Sequence, residues 1–231
     1  MYRMKSLKQF ETVKLHYNKY LYKLEICNIL APFFRSELQK NKTLNYIKVK
    51  LDQLNLCYSS GEPLTKTMYR STVDVSQNEF LDAKDIYNIL KNKKDYTIRI
   101  EGPVGLSIYT NDKEMLVRIS NKLRDPAWGF WEPKLENISL LTQNVKIVAH
   151  PTMFNYQVHF KNPAQIDISF SNWLIANSDK SRVGDKTLVS IQQGYVSGSY
   201  FYVRDEKILI IVQMLIGNTI QRIDKLVYIE G

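Results

Sequence analysis

The sequence predicts an α+β protein built from two related halves, and three observations carry that reading. Apolar residues switch along the chain between strict alternation, the period of a strand, and three- or four-residue steps, the period of a helix. A weak repeat relates a segment around Asp112 to one around Asp205. The most apolar stretch, Ile208 to Ile216, is only about half as long as a bilayer-spanning helix, so the pattern belongs to a water-exposed fold.

The first half opens on Tyr20-Leu-Tyr-Lys-Leu-Glu-Ile26, whose alternation marks a strand. Pro32 then stands where a first-turn proline would. Leu44, Ile47, Leu51 and Leu54 recur at helical steps, with Lys42, Lys48 and Lys50 largely off that stripe. Residues 31–66 have no counterpart later in the chain, so they read as a basic helical insertion. A helix from Asn78 to Asn92 follows, with Phe80, Ala83, Ile86, Tyr87 and Leu90 on one face and Ser76 as its cap. Tyr96-Thr-Ile-Arg-Ile100 is a strand, Gly102-Pro-Val-Gly105 a turn, and Ser107 to Asp112 a strand ending in an Asp that caps the helix beginning at Lys113. Trp128-Gly-Phe-Trp131 reads as an aromatic loop, and the strand closing this half is expected within residues 138–148.

The second half repeats the order. Tyr156-Gln-Val-His-Phe160 is a strand, Ser169 to Asn177 a short helix around Trp173 and Leu174, and Thr187-Leu-Val-Ser-Ile191 a strand. A turn with Gly194 and Gly198 leads into Tyr200-Phe-Tyr-Val-Arg-Asp205, a helix from Glu206, and a closing strand over residues 223–229. Aligning Asp112 with Asp205 places Tyr109 on Tyr202, Met115 on Ile208, Leu116 on Leu209 and Ile119 on Val212. Strand, helix, strand, strand, helix, strand is the ferredoxin-like split βαβ order, shared by RNA-recognition modules, with two helices over one face of a four-stranded antiparallel sheet. The expected limits are 1–150 for the half carrying the insertion and 151–231 for the other.

Charge is distributed unevenly. The chain holds 32 Lys and Arg against 23 Asp and Glu, a net of +9. Residues 1–66 contain 12 basic and 5 acidic residues, or +7; residues 67–150 and 151–231 contribute +1 each, from 12 against 11 and 8 against 7. A localised basic region is what a polyanionic partner requires, and it equally suits an acidic protein. The two cysteines, Cys27 and Cys57, make no disulfide framework and read as free thiols in a reducing compartment. No apolar run follows the basic residues of the N-terminus, so no signal peptide is expected, and the location is read as cytoplasmic or intravirion.

Signatures of chemistry are sparse. His16, His150 and His159 lie at no metal-ligand spacing, and no phosphate-binding glycine loop, nucleophile elbow or HExxH pattern occurs. Neither cofactor nor metal is expected. Asp82 and Asp85, three apart on a helix, read as a solvent face.

Gly198-Ser-Tyr-Phe-Tyr-Val-Arg204 resembles the third-strand motif by which RNA-recognition modules stack bases on aromatics, although Ser197 stands where that motif has a basic residue. Alternation puts Tyr200 and Tyr202 on one face and Phe201 and Val203 on the other, so one pair meets the helices. In size and layout the chain also resembles the CRISPR RNA endonucleases built from two ferredoxin-like folds. That resemblance implies metal-independent RNA cleavage with a histidine such as His16, but the segment Ile220 to Tyr228 lacks the glycine-rich character those enzymes show.

The sequence thus points to a non-catalytic nucleic-acid-binding protein, of phage or virus type in its Lys-, Asn-, Ile- and Tyr-rich composition. Its partner would be RNA or single-stranded DNA. Lys40, Lys42, Lys48 and Lys50 would meet phosphates, Tyr200 or Tyr202 would stack bases, and Trp128, Phe130 and Trp131 would form an interface. The alternatives are a structural or assembly component of a particle, with a protein partner, and the nuclease. No membrane partner is expected.

Overall fold

Alternation and capping set the elements of the first unit, which comprises Met1–Thr12 and Lys19–Ile138. The computed structural model describes residues 7–35, 44–68 and 71–229. In chain order the unit contains β1 (Lys8–Glu11), β2 (Tyr22–Cys27), α1 (Asn45–Ser60), β3 (Thr65–Met68), β4 (Ser71–Asp74), α2 (Gln77–Leu90), β5 (Tyr96–Glu101), β6 (Gly105–Thr110), α3 (Lys113–Lys122) and β7 (Gly129–Glu132). Pro32 lies in a single 3-10 turn, Ala31–Phe34, before α1. Ser76 and Glu79 close a reciprocal capping box on α2, and the Asp112 carboxylate accepts the Met115 N–H at 2.9 Å to start α3.

The sheet runs β1-β7-β2-β6-β5, antiparallel throughout except for β1, which pairs in parallel with β7. Leu24, Ile26, Leu106, Ile108 and Phe130 project from it into a core completed by Phe80, Ala83 and Ile86 of α2, Met115, Leu116 and Ile119 of α3, and Ile47 and Leu51 of α1. The insertion therefore contributes its apolar stripe to this core. It runs into the β3–β4 hairpin, for which the sequence carries no expectation.

The second unit comprises Val13–Asn18 and Ser139–Gly231. Its elements are β8 (Val145–Val148), β9 (Tyr156–Phe160), β10 (Ala164–Gln165), α4 (Ser169–Ala176), β11 (Ser181–Val183), α5 (Asp185–Gln192), β12 (Tyr195–Val196), β13 (Tyr200–Val203), α6 (Glu206–Ile216) and β14 (Ile220–Tyr228). Five strands form a sheet in the order β11-β13-β9-β14-β8, again antiparallel except for an outer parallel strand, β8 on β14. Asp205 caps α6 by accepting the Ile208 N–H at 3.1 Å, the same device as Asp112 in the first unit. Val158, Phe160, Phe201 and Val203 meet Phe170 and Leu174 of α4 and Ile208, Leu209 and Val212 of α6 in the core. The chain is thus α+β in two halves, each with a five-stranded sheet. Among the described residues, no helix is long and apolar enough to cross a membrane.

Two expected strands differ. Thr187–Ile191 lies inside α5, because Asp185 suits the first turn and Leu188 and Ile191, three apart, both turn to the core. The strand at this place in the order is β11 instead. Nor does the segment 138–148 close the first sheet: Val145–Val148 pairs with β14 of the second unit. The first sheet is closed by β7, in the segment expected as an aromatic loop. Phe130 of that segment faces the helices of its own unit and is buried in their core, not presented as an interface. Gly129 is required by crowding, since a Cβ there would sit 2.6 Å from the Trp131 ring and 2.9 Å from Phe10.

Phe130 and Trp128 should therefore respond differently to truncation. Phe130→Ala empties a packed site and should lower unfolding free energy by about 3–5 kcal/mol, whereas Trp128→Ala, at 41% exposure, should cost less than about 1 kcal/mol. Urea unfolding followed by circular dichroism separates the two.

Candidate nucleic-acid interface

Strand alternation gives the second sheet a face turned away from its helices. Tyr200 and Tyr202 stand on it, while Phe201 and Val203 point into the core, so the expected division of that strand holds. Pairing register then fixes their neighbours. Tyr202 lies between Arg182 on β11 and Gln157 on β9, with Asp224 of β14 beyond. Tyr200 lies beside His159, which is followed by Arg222. Tyr200 is 45% exposed and packs edge-on to Tyr202 at 5.5 Å between ring centres. Phe154 backs Tyr202 at 6.1 Å, and His159 lies 5.6 Å from the Tyr200 ring.

Beneath the aromatics lies a buried carboxylate. Asp224 is 1% exposed, and both of its oxygens accept from the Lys14 ammonium. Oδ2 also takes contacts from His159 Nε2 at 3.0 Å and Arg222 Nε at 3.3 Å. Burial alone would raise the Asp224 carboxyl, but Lys14, Arg222 and His159 outweigh it and hold the group below the usual carboxylate range. Lys14 is itself drawn below the ordinary lysine value, because burial outweighs what Asp224 returns. His159 falls to about 4, first through burial and then through the Arg222 cation, with Asp224 only partly offsetting them. It is therefore neutral at pH 7, and its bond to Asp224 places the ring proton on Nε2. Burial and the adjacent Tyr200 push the Tyr202 phenol up, so it too is uncharged.

Charge on this face is unbalanced. Among the described residues of the face, Lys14 and Arg222 contact the one carboxylate, Asp224, while Lys146 lies on the neighbouring strand β8 and Arg182 on β11 at the other edge. Lys146 donates to Gln157 at 3.1 Å rather than to an acid. Exposed tyrosine with surplus cations can hold a base and the phosphates on either side of it.

The basic insertion is less concentrated. Lys40 and Lys42 lie outside the described residues. Lys48 and Lys50 are on α1, where Lys48 pairs with Asp52 at 3.5 Å and Lys50 reaches Gln53 and the Tyr46 ring. Lys48 and Lys50 belong to the first unit, Tyr200 and Tyr202 to the second. In the first unit, Trp131 stacks on Phe10 at 4.5 Å with Lys23 over its outer face at 4.2 Å, and Trp128 is exposed. Asp82, expected on a solvent face, is buried and binds Arg124 at 2.8 Å; burial raises its carboxyl despite that cation. Among the described residues, no group of three or more His, Cys, Asp or Glu is placed to hold a metal ion.

Sequence reasoning missed Arg182, Arg222, Lys14 and Asp224 as companions of the tyrosines. The alternation of Arg222 and Asp224 along β14 was legible, but which strand lies beside them is decided by sheet register.

The His159 shift has a definite sign. An unfolded chain binds a proton near pH 6.5 that the folded chain refuses until about pH 4, so stability falls as pH drops through that window. With residual solvent access to the ring allowed for, the loss is about 2 kcal/mol. His159→Gln should remove that share of the difference in unfolding free energy between pH 7.5 and pH 4.5, measured by urea titration.

The chain matches no protein-family model, and neither the curated proteins nor the solved structures contain a significant match to it.

Proposed function

We propose that this chain binds single-stranded nucleic acid without cutting it, through the face of β9, β13 and β14 that carries Tyr200 and Tyr202. The observation that carries the reading is an exposed Tyr200 on a sheet face that also carries Lys14, Lys146, Arg182 and Arg222 against one buried carboxylate, Asp224. A flat aromatic offers its ring to an unpaired base, with Arg182 one strand to one side and Arg222 two strands to the other for the phosphates. The strand orders support a finer reading of both units as ferredoxin-like. Leaving aside the parallel outer strand, each runs fourth, first, third, second, all antiparallel, with helices on one side. In that arrangement Tyr200 and Tyr202 occupy the third strand, where RNA-recognition modules stack bases. The positive region within residues 1–66, with Lys40, Lys42, Lys48 and Lys50, adds a sequence-independent contribution to affinity.

His159 argues against a nuclease centred here. With a pKa near 4 the ring is not an imidazolium at pH 7, so it is no general acid for a leaving group there, and it is a weak base. A second reading, an assembly component of a larger particle, draws on the apolar outer face of α6.

Labelled single-stranded RNA, single-stranded DNA and duplex DNA titrated at two salt concentrations test the proposal, with probe length checked on a gel. The expected result is salt-sensitive binding of intact single strands in preference to duplex. Tyr200→Ala should weaken it by about 5- to 100-fold, since base stacking on an aromatic contributes about 1–3 kcal/mol. Arg222→Ala should lower the salt slope by about one. Absence of binding at low salt overturns the reading, and shortened probe revives the nuclease.

A further inference from the structure

Of the eleven residues of α6, only Glu206, Lys207 and Gln213 are polar. Ile208, Leu209, Val212 and Ile216 fill the core of the second unit. Ile210, Ile211, Met214 and Leu215 point the other way and are 51%, 41%, 82% and 52% exposed. A helix apolar all round ordinarily has both faces covered. These four side chains offer on the order of 400 Å² of apolar surface, the size at which a patch on a single chain marks an interaction site.

We propose that this face of α6 joins two copies of the chain about a two-fold axis. Charge is the first argument. With a net charge of +9, two copies repel one another over much of their surface, yet no charged residue occurs from Ile208 to Gln221. Antiparallel α6 helices meet there without opposing like charges, and their dipoles align favourably. Area is the second. A two-fold contact buries both patches at once, on the order of 800 Å² from α6 alone, against about 1,200–2,000 Å² for a stable interface. A groove of about 430 Å³, lined by Gln165, Ile166 and Asp167 and by the C-terminal end of α6, lies beside the patch, and exposed Ile168 follows Asp167 in the chain.

Sedimentation equilibrium of the full chain from 1 to 100 µM tests this. The expected mass is twice the 27.1 kDa of one chain at the upper concentrations. Met214→Glu and Ile211→Glu replace exposed residues, so both should fold, as circular dichroism would verify, and each should weaken self-association at least about 100-fold by placing like charges in a dry contact. Val117→Glu, also at an exposed apolar position but on α3, should leave the dimer intact. A wild-type chain monomeric at 100 µM overturns the proposal. If such a monomer bound lipid vesicles, the face would belong to a membrane surface instead. A dimer that survives both α6 substitutions overturns it as well, by placing the contact elsewhere.

Discussion

Asp224 sets the terms for the second unit. A carboxylate at 1% exposure is tolerated only where its charge is met and its lone pairs are filled, and here both oxygens take the Lys14 ammonium. That requirement fixes the segment Val13–Asn18 on this unit: the Val13 carbonyl accepts the Ile147 N–H at 2.8 Å, and Lys14 bridges to Lys146. It also sorts the cations of the sheet. Lys14 and Arg222 share the single charge of Asp224 and His159 is held neutral, while Lys146 donates to Gln157 rather than to an acid. The surplus positive charge of this face is thus a consequence of how one buried acid is satisfied.

What was legible in the sequence follows the range of the interaction that decides it. The α2 capping box, the Asp112 and Asp205 caps and the face division of Tyr200 to Val203 are local, and the residues alone reveal them. Thr187–Ile191 was misread because its β-branched residues favour a strand locally. Burial of Leu188 and Ile191 three residues apart decides the helix. Trp128–Trp131 was misread because a four-residue strand beginning at Gly129 has too short an alternation to recognise. Only the Phe10–Trp131 stack and the pairing with β2 make it a strand. The companions of the tyrosines were illegible for a related reason. His159 and Arg222 are 63 residues apart, and only register brings them together.

The two units share a strand order and an outer parallel strand, yet the faces turned away from their helices differ in chemistry. In the first, register lines up Phe10, Trp131, Lys23, Tyr109 and Thr97 in one row. Lys23 is held between the Trp131 and Tyr109 rings and pairs with Glu25 at 3.3 Å, and Tyr109 is buried. Charge and aromatic surface there satisfy one another. At the matching position in the second unit, Tyr202 has Gln157 rather than a lysine beside it, and exposed Tyr200 has Arg222 two strands away.

Within the second unit the two proposed surfaces lie on opposite sides of one layer. α6 covers one side of the sheet, and Tyr200, Arg182 and Arg222 stand on the other. A two-fold contact through the outer face of α6 would leave the sheet face of each second unit outside that contact. Two sites on one particle gain avidity for a strand long enough to reach both, without any new contact. The apolar helix and the charged sheet would then act together, the helix setting the number of sites and the sheet the affinity of each.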